Sequence, residues 1–75
     1  MKWVNLTDIL VFRTPEYSFV IEKEFSLARW QVTRRSDMSI IAKGSNARVT
    51  QAKQKCKEIY KELKQTELNR IREYG

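Results

Sequence analysis

From Ser45 to Tyr74 the chain contains neither glycine nor proline, and before that stretch Pro15 and Gly44 are the only two. Both residues break regular backbone, so they divide the chain into segments that must each be continuous. Within the last segment Val49, Ala52, Cys56, Ile59, Tyr60 and Leu63 recur at helical spacing. At about 100° per residue they share one sector of the helix surface. The spacing predicts a single helix over about Asn46 to Glu73, with Ser45 or Asn46 supplying the capping oxygen.

The segments before Gly44 follow a different period. Two runs rich in β-branched and aromatic residues, within Ile9 to Ile21, flank Arg13-Thr14-Pro15-Glu16. Pro15 fixes its own φ in that turn, which predicts a hairpin. An alternative for residues 5–13 is a short helix capped by Asn5, with Asp8 three positions on and an apolar face at Leu6, Ile9 and Leu10. The strand reading is preferred. From Phe25 to Thr33 the residues alternate, Ala28, Trp30 and Val32 to one side and Arg29, Gln31 and Thr33 to the other. Arg34-Arg35-Ser36-Asp37 then turns into a returning strand, Met38 to Lys43, with Ile40 and Ala42 expected beside Trp30 and Val32. Gly44 is expected to end the sheet. The fold class is α+β: one domain over residues 1–75, an antiparallel β-meander of three to four strands over about 8–43, then one long helix packed on one face.

Length now becomes informative. A helix over residues 46–73 is ~42 Å long, whereas a six-residue strand spans ~20 Å, so the last turns should overhang the sheet. Past Leu63 the apolar stripe breaks, with Glu67 at its centre and Leu68 to one side, and resumes at Ile71 and Tyr74. Leu68, Ile71 and Tyr74 are therefore expected to meet a partner, either a second copy or the groove of a host protein.

Charge gives the other candidate surface. Lys+Arg 15 against Asp+Glu 9 leaves a formal charge of +6, which favours an anionic partner. Lys53, Lys57, Lys61, Lys64 and Arg72 project from one flank of the helix, away from Glu58, Glu62 and Glu73. Like charges four apart oppose helix formation, so helix stability alone does not select that row. The helix must run back towards the Arg34-Arg35 turn. Arg34, Arg35, Lys61, Lys64, Arg70 and Arg72 are then expected to gather at one end, with Lys53 and Lys57 leading to it. Such a surface holds nucleic-acid backbone, DNA or RNA, without reading bases.

Other chemistry is excluded by missing residue types. With no histidine, neither a Ser/His nor a Cys/His nucleophile pair can form, and Cys56 alone makes no internal disulfide and no conventional zinc or haem site. Glu22 and Glu24 lie two apart, but nothing around them raises a pKa for acid–base work. No enzyme activity and no cofactor are expected. Cys56 falls inside the apolar stripe, as a small hydrophobe. No apolar run approaches a membrane span or an export signal, and the cysteine usage fits a cytoplasmic protein.

Two resemblances add to this. Pro15-Glu16-Tyr17, Trp30-Gln31-Val32, Gly44 and Ala52-Lys53 resemble the later part of a double-stranded RNA-binding domain, although Val49 and Thr50 stand where that family carries a lysine pair. In its shortness, basic balance and lack of a catalytic motif the whole chain resembles small accessory proteins of enterobacterial phages and prophages. That likeness implies an accessory role, such as regulating or blocking a host nucleic-acid enzyme.

Overall fold

The alternation of apolar and polar residues is realised as an antiparallel sheet in which each strand pairs with the next. The computed structural model describes residues 2–74, with side chains from Lys2 to Thr66. Five strands follow one another in space as in sequence: β1 (Val4–Asn5), β2 (Ile9–Arg13), β3 (Tyr17–Lys23), β4 (Ala28–Arg34) and β5 (Ile40–Asn46). The helix α1 (Val49–Tyr74) then returns across one face. This is the expected α+β meander, with one strand more because two residues at the N-terminus pair with Leu10 and Val11.

Register decides which side chains reach the core. Opposed residues in an antiparallel sheet point to the same face. Phe12, Phe19, Val32 and Ala42 therefore form one row, and Leu10, Ile21, Trp30 and Gly44 the next. From the helix Ala52 and Cys56 close onto these rows, and with Ala28 they complete the buried set. Phe19, Ile21, Val32, Ala52 and Cys56 lose all contact with water, each large apolar chain being worth about 1.5–3 kcal/mol relative to exposure. Val49, Ile59, Tyr60 and Leu63 seal the margin, and Leu63 is the last described helix residue to do so.

Residues 9–13 form a strand and not the alternative helix, because Leu10 and Phe12 both find partners in β3 at period two. The hairpin turn predicted at Pro15 is present. The Thr14 amide donates to the Tyr17 carbonyl at 2.9 Å, and the Tyr17 amide to Thr14 Oγ1 at 2.9 Å.

Four expectations are corrected. Phe25 does not begin β4: the Glu24 amide bonds the Leu27 carbonyl at 2.8 Å, which closes a turn and leaves the Phe25 ring fully exposed. Ile40 does not enter the core either. A bulge beside Val32/Thr33 puts Ala42 opposite Val32 but Ile40 opposite Thr33, so Ile41 packs against the core and Ile40 faces solvent. Gly44 does not end the sheet but lies within β5 opposite Trp30, where a side chain has no room. Asn46, expected as a helix cap, instead accepts the Trp30 Nε1–H at 2.9 Å. The helix begins at Val49, and just before it the Arg48 amide donates to Gln51 Oε1 at 3.3 Å.

Candidate nucleic-acid interface

On an α-helix, residues spaced four, three and four apart form a continuous row. Lys53, Lys57, Tyr60 and Lys64 stand in such a row on the flank of the buried stripe. The position of Tyr60 shows which way that flank faces. Its ring meets the edge of Phe12 at 5.7 Å between centroids and that of Phe19 at 5.7 Å, both nearly perpendicular. Phe12 in turn packs at 6.0 Å against Trp3. The lysine row therefore borders the β1–β2 side of the helix, above an aromatic row that runs outward from Phe19 through Phe12 to Trp3.

Lys64 completes the arrangement, its Nζ standing 4.7 Å from the Tyr60 ring centre. An ammonium over an aromatic face contributes roughly 0.5–1 kcal/mol at an exposed site and keeps its charge available to an anion. Lys57, Lys61 and Lys64 are exposed and Lys53 is half-buried. Among the described residues, ion pairs form only between Arg29 and Glu24 and between Arg34 and Asp37, so none of these four lysines is paired with a described carboxylate. Glu58 and Glu62 project from the opposite flank of the helix.

The Arg34-Arg35 turn lies at the end of the sheet towards which the helix runs. β5 leads away from that turn, α1 starts beside Asn46, and by Tyr60 it has come back to the Phe12–Phe19 row next to the Thr14–Tyr17 turn. Both arginines are partly occupied. Arg35 Nη1 donates to the Thr14 carbonyl at 2.8 Å, while its amide donates to the Glu16 carbonyl, so it ties the two turns together. Arg34 Nη1 reaches Asp37 Oδ2 at 3.5 Å. The Asp37 carboxyl is held below its usual pKa, first by the hydrogen bond from the Ser39 hydroxyl, then by the Ser39 amide, with Arg34 adding less. A guanidinium has five N–H donors, so each arginine keeps several for a phosphate.

Arg70 and Arg72, and the expected partner contacts Leu68, Ile71 and Tyr74, have side chains outside the described residues. The helical backbone that carries them continues to Tyr74.

Lys2 and Arg13, at this edge of the sheet, have no place in the sequence reading of the basic surface. β1 covers only Leu10 and Val11 of β2, which leaves an open depression of about 450 Å³ bordered by Lys2, Val4, Leu6, Val11, Phe12 and Arg13. Lys2 and Arg13 are exposed there, and Arg13, which alternates with the inward Phe12, projects from the face turned away from the helix. Only the N-terminal pairing of two residues brings Lys2 and Trp3 to this edge, and a pair so short leaves no periodic signal. The same outer face of the sheet, turned away from the helix, also holds a shallow concavity of about 580 Å³ bordered by Val20, Glu22, Arg29, Gln31, Lys43 and Ser45, where the charge is mixed and Arg29 is paired with Glu24 at 3.3 Å.

Cys56, on the sheet-facing side of the helix, has no exposed surface, and burial pushes its thiol up to about 11, so it stays protonated and serves packing. No helix among the described residues is long and apolar enough to cross a membrane. No protein-family model, no curated protein and no solved structure matches the chain.

Proposed function

We propose that this chain is a non-enzymatic binding module that grips nucleic-acid backbone through the lysine flank of its helix and the Arg34-Arg35 turn. The observation that carries the reading is the row Lys53, Lys57 and Lys64, which makes no ion pair among the described residues, along the margin of the sheet. Phosphates recognised by mobile lysines supply affinity without sequence preference and make it sensitive to salt. The accessory role implied by the likeness to small phage and prophage proteins suits such a module. The test is a gel shift with mixed-sequence DNA and RNA at about 50 mM salt, where a protein of this kind binds both and loses them as salt rises. Failure to shift either polymer removes the reading.

A second reading is favoured by the length of the helix, which runs eleven residues past Leu63 to Tyr74. In that reading Leu68, Ile71 and Tyr74 dock into a second copy or a host protein, and the positive charge steers the encounter. Sedimentation of the protein and of Ile71→Asp separates the two forms: a dimer that the substitution dissociates supports self-association, and an unchanged monomer removes it.

A further inference from the structure

We infer that the nucleic acid held by this surface is single-stranded, with a base stacked on Trp3 while the phosphates follow Lys53, Lys57 and Lys64. The inference rests on the nucleic-acid reading above and narrows it to one class of polymer.

The argument begins with where Trp3 lies. It belongs to no strand, follows Lys2 directly, and is only half-buried. Its packing comes from Phe12 at 6.0 Å, a ring that is itself anchored on buried Phe19 at 5.8 Å and on Tyr60 at 5.7 Å. Trp3 is thus the outermost member of an aromatic series rooted in the core, packed against Phe12 and partly accessible to solvent. Trp30, the other tryptophan, is buried and hydrogen-bonded to Asn46.

Duplex and single strand use such a surface differently. A duplex offers phosphates but keeps its bases stacked within, so it gains from the lysines alone. A single strand has free base faces, and an aromatic side chain beside a basic track takes them without regard to sequence. Here the two features run side by side on one face. The lysine row from Lys53 to Lys64 is ~16 Å long at the helical rise of 1.5 Å per residue. That matches about five phosphates of a stacked strand at ~3.4 Å each.

The experiment compares an oligothymidine with a mixed duplex of the same length, about twelve nucleotides and so well beyond the track, by titration followed through tryptophan emission. The expected result is single-strand binding at least about tenfold tighter than duplex binding, with emission quenched because the accessible indole is stacked. Trp3→Leu, which keeps apolar packing on Phe12, is expected to abolish the quench, weaken the single-strand complex about tenfold and leave duplex affinity unchanged. Equal affinities with unquenched emission in the unaltered protein overturn the single-strand assignment and leave backbone binding standing, and that comparison holds even if Trp3→Leu fails to fold. A folded Trp3→Leu that binds oligothymidine as tightly as the parent overturns it as well. Binding of neither polymer at about 50 mM salt removes both the inference and the reading it rests on.

Discussion

A Cβ placed on Gly44 falls 2.5 Å from Cζ2 of Trp30, the residue it opposes in β4. The indole lies across the bare backbone of β5 and is fixed there by its hydrogen bond to Asn46 Oδ1 at 2.9 Å, so it has little freedom to retreat. Gly44→Ala is therefore expected to cost about 1–3 kcal/mol through overpacking, seen as a lowered midpoint in chemical denaturation. A stability equal to the parent's shows that the indole moves freely.

Met38 offers a change of the opposite sign. Its φ of 59° lies in the left-handed region, in the β4–β5 turn, with the side chain exposed. A side chain held there costs roughly 1–2 kcal/mol relative to glycine, against which glycine's greater unfolded-state entropy must be set. Met38→Gly is expected to raise stability by a few tenths to about 1 kcal/mol in thermal unfolding.

Cys56 gives a prediction in alkaline solution. Its folded pKa is raised from 9.0 to about 11, so between those values the folded state retains a proton that the unfolded chain releases. The contribution is fully present below about pH 9 and is lost as pH rises towards about 11. Cys56→Ala should remove that part of the alkaline decline, whatever it does to stability at neutral pH. A thiol reagent is expected to modify Cys56 no faster than the protein opens.

The two turn arginines should separate by role. Arg35 joins the β2–β3 and β4–β5 turns through Thr14, so Arg35→Ala is expected to lower stability by about 0.5–1.5 kcal/mol. Arg34 makes one exposed pair with Asp37, and Arg34→Ala is expected to change stability by less than about 1 kcal/mol. Thermal unfolding of the two variants distinguishes them before either is used in a binding assay.

These relationships also show what local pattern conveys. Ala28, Trp30 and Val32 alternate without interruption, and the sequence places their strand and its inward face correctly. The helix core from Val49 to Leu63 is equally plain at period 3.6. Ile40 is misplaced because a bulge shifts phase by one residue, and no residue type announces where a ladder slips. Gly44 reads as a terminator because its real cause, a ring from the neighbouring strand, is fourteen residues away. The lysine row is legible from helical spacing, whereas its aromatic neighbours Phe12 and Trp3 join it only through strand pairing. Long-range pairing thus sets the parts of the surface that a linear pattern does not reveal.

The salt dependence of nucleic-acid binding tests the central proposal most directly. The parent protein is expected to give a linear fall of log K with log salt, each phosphate contact adding roughly 0.7 to the slope on a single strand and 0.9 on a duplex. Lys57→Glu combined with Lys61→Glu, on an exposed flank where folding should tolerate both, is expected to weaken binding and to reduce that slope by about 1–2. A folded double variant that binds with the parent's affinity and the parent's slope contradicts the account, because the lysine flank then carries none of the contact.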